Sequence, residues 1–277
     1  MKPGAPRLYD VIEWRTYDDL VTRCRANLHC VRAFAPDIIV GIPRSGMLPA
    51  SIIATSLSIP LADLHSFCAG VAWKWRNEVV TDVSFKHALL VDDASGYGKT
   101  MRNAIETMPT DVRVSSCAVY GTQEASKLLD LCFEVCPKPR KFEWNFWRDG
   151  YLGQTAVDID GVLCVDPTRA QRKDGRFYRY DAVPLYLPTK PVAAIITGRN
   201  EKWRSETEHW LHYYGVEYGK LHMSTGDHSH QEHKAMVYAS IDAQLFVESE
   251  VDQSEFINMK TGKPVLCSKN RRLYRNG

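Results

Sequence analysis

The chain has 277 residues, 44% of them hydrophobic, and its 35 Lys and Arg nearly balance 33 Asp and Glu. That length supports two domains with sizeable cores, and a net charge of +2 excludes the broad basic footprint that nucleic acid or an anionic membrane requires. Eight cysteines without CxxC spacing, an opening without a charged-then-apolar leader, and no apolar run near the roughly 20 residues of a membrane span predict a cytoplasmic protein with reduced thiols.

Strand and helix signals alternate through the first half. DIIVGI precedes MLPASIIATSL, HALLVDD precedes TMRNAIETM, and VRVSSCAVY precedes EASKLLDLC. Such alternation predicts an α/β fold of parallel strands with crossover helices. Between the first strand and its helix, Pro43, Arg44, Ser45 and Gly46 form a tight turn, which offers a guanidinium and backbone amides to a highly charged anion. Residues 69–84, AGVAWKWRNEVVTDVS, read as an exposed hairpin with Lys74 and Arg76 as solvated cations. The next strand ends in Asp92 and Asp93, and Ala94, Ser95, Gly96, Tyr97, Gly98, Lys99 and Thr100 lead into a helix. Glycines let N–H groups point inward and the helix start adds positive potential, so this turn suits a phosphate monoester. Paired carboxylates beside it suit vicinal hydroxyls. Phosphate plus diol describes a ribose 5-phosphate, and the turn at 43–46 suits a diphosphate on the same sugar.

Residues 137–153, PKPRKFEWNFWRDGYLG, carry neither period 2 nor period 3.6 over a useful length and read as a linker that packs by its aromatics. The expected domains are therefore 1–136 and 154–277. The second repeats the α/β pattern: TAVDIDGVL, PVAAIITG, a helical stretch from about Glu201 to Tyr214, KLHMS, a helix through HKAMVYASI, QLFVES and PVLCS. Asp158 and Asp160 stand i and i+2 at a strand end, so their side chains are expected to point the same way. A carboxylate nucleophile with a proton-shuttling neighbour suits phosphoryl transfer through an aspartyl-phosphate. Thr197, Lys234 and the acids of LFVESEVDQS follow in order. His228, His230 and His233 are not expected on one face, and Trp203 and Trp210, at helical spacing, read as core.

The first half resembles the type I phosphoribosyltransferases. That resemblance implies that Asp92 to Thr100 bind the ribose phosphate of phosphoribosyl diphosphate, that Asp92 and Asp93 serve the transfer itself, and that Pro43 to Gly46 bind the diphosphate. It also implies Mg2+, a transition state with ribosyl cation character, and that residues 69–84 are a mobile loop closing over the substrate, with Lys74 and Arg76 available for the departing charge. Purine-salvage members usually carry an acid where this chain has Gly96, which weakens a purine acceptor. The second half resembles the haloacid dehalogenase-like phosphatases. By that likeness Asp158 is the nucleophile, Asp160 the general acid/base, Thr197 a phosphate-oxygen donor and Lys234 the steadying cation. Mg2+ would sit on Asp158, the Asp160 carbonyl and Glu248, with Glu250 and Asp252 as competitors for the last place.

Only 26 residues (165–190) separate Cys164 from Pro191, too few for a large cap, which predicts an open site for phosphate on something bulky. A transferase that adds 5-phosphoribose and a phosphatase that removes its phosphate together resemble the two-step route that installs ribofuranose in bacterial glycans. The expected function is thus transfer to a glycan or other hydroxyl acceptor, followed by hydrolysis to a β-ribofuranosyl residue. A lipid-linked acceptor would bring peripheral membrane contact, and a homo-oligomer is compatible; nucleic acid is not expected as a partner. Nucleotide salvage or repair, and a non-catalytic regulator that binds phosphoribosyl compounds, are the alternatives.

Overall fold

The computed structural model describes residues 12–74, 78–81 and 85–275. They form two compact units, one of Arg15–Trp144 and the other running from Asn145 onward and taking in Trp14. Strand β1 (Glu13–Arg15) lies at the boundary in sequence. Among the described residues no helix is long and apolar enough to cross a membrane.

In the first unit the chain runs through α1 (Tyr17–Ala26), α2 (Leu28–Phe34), β2 (Ile38–Gly41), α3 (Met47–Leu57), β3 (Leu61–Asp63) and α4 (Leu64–Cys68). It continues through β4 (Val71–Trp73), β5 (Val79–Thr81), β6 (His87–Ser95), α5 (Lys99–Thr107), β7 (Arg113–Gly121), α6 (Gln123–Ser126), β8 (Leu131–Val135) and β9 (Arg140–Phe142). The main sheet has the order β5-β4-β3-β2-β6-β7-β8. Its β3, β2, β6, β7 and β8 are parallel, and the β4–β5 hairpin closes one edge antiparallel. Alternate residues feed opposite faces: Ile39, Leu89 and Val91 pack with Leu20 and Ile53, whereas Ile38, Val40, Ala88 and Leu90 pack with Ala62 and Met101. Two covered faces explain the near-continuous apolar strands.

The helix expected over EASKLLDLC is cut short. Only Gln123–Ser126 is helical, and Leu131–Val135 pairs in parallel with β7. The Asp130 carboxylate accepts from the Ser116 N–H at 2.7 Å and its Oγ at 2.8 Å, which pins the chain to the sheet edge before another helical turn can form.

The second unit contains β10 (Thr155–Val157), β11 (Val192–Asn200), α7 (Arg204–Tyr213), β12 (Tyr218–Ser224), α8 (His230–Ser240), β13 (Leu245–Glu248), α9 (Val251–Thr261), β14 (Val265–Cys267) and β15 (Leu273–Tyr274). Sheet order is β12-β11-β10-β13-β14-β15, parallel except for β15. Both units are therefore doubly wound. The direction of winding reverses between β2 and β6 in the first and between β10 and β13 in the second, and crevices at such reversals are where open α/β sheets bind ligands.

Candidate active sites

The reversal in the first unit brings the two expected turns together. The Ile42 N–H donates to the Val91 carbonyl at 2.9 Å. A Cβ on Gly46 would lie 2.5 Å from the Ile42 oxygen, 2.7 Å from the Val91 oxygen and 3.1 Å from Asp92 Cα, so only glycine lets the 43–46 turn lie against the acidic strand end. Pro43 and Arg44 are exposed, Ser45 is half-buried, and the Pro43–Arg44 peptide is cis.

Strand β6 continues through the acids to Ser95, and both Asp92 and Asp93 are buried. The Asp93 N–H donates to Asp92 Oδ1 at 2.9 Å, and the Trp144 indole N–H donates to Asp93 Oδ2 at 2.6 Å. Burial, followed by the Asp93 charge, pushes the Asp92 carboxyl up to about 8. Beyond them, the Ser95 carbonyl accepts from the Thr122 N–H and from Arg140 Nη2, and the Gly96 carbonyl from Thr122 Oγ1. Gly98 gives α5 no side-chain cap, so the first N–H groups of the helix are not met by a capping side chain. Ala94 is half-buried, while Lys99 and Thr100 are exposed and open, with Ile42, Leu64 and Asn103, on a hollow of about 330 Å³. Tyr97 is exposed, and Lys138 lays its ammonium 4.0 Å above that ring and 3.2 Å from where a Gly96 Cβ would stand. Lys74 follows β4 in the hairpin and donates its N–H to the Glu78 carbonyl; Arg76 lies outside the described residues.

In the second unit a cavity of about 380 Å³ opens at the reversal, lined by Asp158, Asp160, Lys234 and Glu248 among others. Lys234, on α8, donates to Asp158 Oδ2 and Glu248 Oε2, each at 2.7 Å, and to Gln253 Oε1 at 3.1 Å. All three ionisable groups are buried. Two carboxylates facing one ammonium leave an excess negative charge, and burial pushes Asp158 up to about 7 despite Lys234, with Glu248 and Asp160 adding to the rise. Burial opposes the Lys234 charge, but Asp158 and Glu248 outweigh it and hold the amine above its usual range. An oxygen-lined site with uncompensated negative charge fits a hard divalent cation. Asp158 and Glu248 would hold Mg2+ by their carboxylates and Asp160 by its carbonyl, which now accepts from Ser249 Oγ at 3.1 Å. Glu248 occupies the end of β13; Glu250 also lines the cavity but reaches Lys269 at 3.3 Å, and Asp252 is exposed and not among the lining residues. Among the described residues no group of three or more His, Cys, Asp or Glu side chains is arranged to hold a metal.

Three expectations change. Asp158 and Asp160 line one cavity but lie beyond the end of β10, and Asp160 turns to Arg199 rather than to Lys234. Arg199 is buried and grips Asp160 through Nε at 3.1 Å and Nη2 at 2.6 Å, with its guanidinium 4.5 Å over the Tyr178 ring. Thr197 is fully buried, accepts the Arg199 N–H at 3.2 Å, and leaves the wall to Gly198 and Arg199, because β11 runs on to Asn200 and keeps Thr197 inside the sheet. Of the two tryptophans Trp210 is fully buried and donates to the Ala182 carbonyl at 2.8 Å, whereas Trp203, in the turn before α7 rather than on the helix, packs partly buried against the same core and also lines the cavity. Gly161 has φ +76°, and a Cβ there would meet the Ser249 side chain at 2.5 Å, which accounts for the glycine after Asp160. Of the histidines, His230 lines the cavity and His228 is exposed.

Sequence reasoning missed Lys138, Arg140 and Trp144 at the first site and Arg199 at the second. Arg199 stands two residues after Thr197 and was visible as the R of IITGRN; nothing in residues 137–153 announced the other three.

Residues 14–151 match the family model described as the phosphoribosyl transferase domain. The chain therefore carries a phosphoribosyltransferase domain in its first half. Similar solved structures include a purine phosphoribosyltransferase from Pyrococcus horikoshii Ot3, 22% identical, over 48% of this chain and 92% of that one, with a TM-score of 0.35. Another is the Helicobacter pylori xanthine-guanine-hypoxanthine phosphoribosyltransferase, 13% identical over 48% and 92%, TM-score 0.39. The orotate phosphoribosyltransferase from Aeropyrum pernix is 17% identical over 42% and 69%, TM-score 0.33. No curated protein matches the chain.

Proposed function

We propose that the chain is a bifunctional enzyme: it transfers 5-phosphoribose from phosphoribosyl diphosphate to an acceptor hydroxyl, as on a glycan, and then hydrolyses the 5-phosphate. The observation that carries this reading is the Lys234 bridge between Asp158 and Glu248 at a sheet reversal, in a chain that already holds a phosphoribosyltransferase domain. In the transfer, Asp92 and Asp93 accept from the ribose hydroxyls, the 95–100 turn holds the 5-phosphate and the 43–46 turn the diphosphate. The bond from the anomeric carbon to the diphosphate breaks as the bond to the acceptor oxygen forms on the opposite face and the hydroxyl proton passes to solvent, so an α donor gives a β product.

In the hydrolysis, an Asp158 oxygen attacks phosphorus while the ribose oxygen leaves with a proton from Asp160. Water then cleaves the aspartyl-phosphate and returns a proton to Asp160. Lys234 orients Asp158, and Arg199 fixes the Asp160 carboxylate at the cavity wall. When bound, Mg2+ would neutralise charge between Asp158, Glu248 and the phosphate. Removal of the phosphate supports a hydroxyl acceptor, because a base acceptor would make a nucleotide that the same chain degrades; the cation over Gly96 also disfavours the purine chemistry that uses an acid there.

Incubation of the full chain with phosphoribosyl diphosphate, Mg2+ and separate panels of glycosides and nucleobases, read by mass spectrometry, tests this. Glycosides gaining ribose without phosphate are expected. Nucleosides formed from nucleobases would move the reading to salvage, and a phosphoribosylated product that stays phosphorylated would remove the second activity.

A further inference from the structure

Three side chains from one short stretch reach the acidic strand end of the first unit and its turn. Lys138 covers Tyr97, Arg140 holds the Ser95 carbonyl at 2.8 Å, and Trp144 donates to Asp93 at 2.6 Å. The chain is extended through Arg140–Phe142 and turns at Glu143 into a short 3-10 helix that carries Trp144. Trp144 is also held by its rings: it stacks on Phe142 at 4.9 Å and on Tyr120 at 6.3 Å, and lies 5.8 Å from Tyr17. An indole has a single donor and no acceptor, so fixing the ring fixes where that donor points.

The bond has a chemical consequence for Asp93. One carboxylate oxygen is committed to the indole, which leaves the other lone pairs in a set direction for a ligand hydroxyl. An arginine or lysine in the same place would also orient Asp93 but would cancel its charge. A neutral N–H leaves the Asp93 charge in place beside a ribose that gains positive character as the diphosphate departs.

We propose that Trp144 is a positioning residue of the transferase, its indole N–H holding the Asp93 carboxylate in the orientation that meets a ribose hydroxyl of phosphoribosyl diphosphate. This rests on the reading that Asp92 and Asp93 hold that ribose. The test is calorimetric titration of the full chain with phosphoribosyl diphosphate and Mg2+, for wild type, Trp144→Phe, Asp93→Asn and the double variant. Phenylalanine keeps an aromatic ring in the stack, though a smaller one, and loses the donor, so affinity should fall about tenfold. Asp93→Asn should cost more, and the double variant should bind no worse than Asp93→Asn alone, since the indole then has no carboxylate to orient. Losses that add would show that Trp144 acts by packing and overturn the role. Loss in Asp93→Asn with none in Trp144→Phe overturns it too while the ribose site stands; no loss in either overturns both. A second measurement is independent of the phenylalanine variant. In protein labelled with 15N-tryptophan, one indole N–H resonance should move upfield in Asp93→Asn and, in wild type, shift when phosphoribosyl diphosphate is added. An indole set in which no resonance responds to both changes overturns the proposal.

Discussion

Replacing Asp158 by Asn should make the second unit inactive and more stable. Asp158 is buried, and burial with the nearby Glu248 raises its carboxyl from 3.8 to about 7 against the pull of Lys234. An acid whose pKa rises on folding binds its proton more tightly in the folded chain, so stability is greatest at and below about pH 4 and falls as pH climbs toward 7. Roughly three units at about 1.4 kcal/mol each set a ceiling of about 4 kcal/mol on that loss. Asparagine has no charge to desolvate and leaves Lys234 and Glu248 as a one-to-one pair. The variant should therefore exceed wild type by about 2–4 kcal/mol at about pH 8, visible as a rise of about 5–10 °C in the melting of that unit, and by about 1 kcal/mol near pH 5. The assay is scanning calorimetry of the full chain with a chelator, because a divalent cation between the carboxylates would relieve the same charge. Repeating it with Mg2+ should narrow the gap. Hydrolysis of p-nitrophenyl phosphate should disappear in the same preparation. A variant no more stable than wild type at about pH 8, or a gap indifferent to pH, would refute the argument that Asp158 is an excess buried charge.

Arg199→Lys loses the two-point grip on Asp160 and the contact with Tyr178, so phosphomonoester hydrolysis should fall about 100-fold, with Arg199→Met also melting earlier by about 3 kcal/mol; unchanged turnover in both would remove Arg199 from the site. The double variant Asp92→Asn/Asp93→Asn should lose phosphoribosyl diphosphate binding in calorimetry yet hydrolyse p-nitrophenyl phosphate at the wild-type rate, and retained binding would show that the ribose is held elsewhere. Gly46→Ala places a methyl within 2.5 Å of the Ile42 carbonyl and 2.7 Å of Val91, which must push the 43–46 turn off the strand end. A loss of about 1–3 kcal/mol in melting together with weakened donor binding is expected, and wild-type behaviour in both would mean that the two turns need not touch.

Much of the layout was legible because it depends on local chemistry. Apolar runs of strand length followed by helical stretches define α/β units, and β2 with α3, β6 with α5, β11 with α7 and β12 with α8 stand where that alternation puts them, whereas α9 after β13 was not foreseen. Acids and glycines at strand ends mark ligand turns, so Asp92, Asp93, Asp158, Lys234 and Glu248 could be named as candidates in advance. The sequence could not say which strands are neighbours. Sheet order brings Gly46 to the end of β6 and Glu248 to Asp158, and it arises from long-range pairing and from which faces the helices cover. The same limit hid Trp144 and misjudged Thr197. The first touches Asp93 across 51 positions, a contact no local period encodes, and the second is turned inward because β11 runs three residues past it. Partner choice was equally out of reach: Asp160 and Arg199 are 39 positions apart, and only the packed cavity decides that this arginine takes that carboxylate while Lys234 takes the other two. Composition and spacing thus marked which charged and glycine residues stand at strand ends, whereas the pairing of buried charges, whose energies depend on distance and exclusion of water, was decided by the tertiary structure.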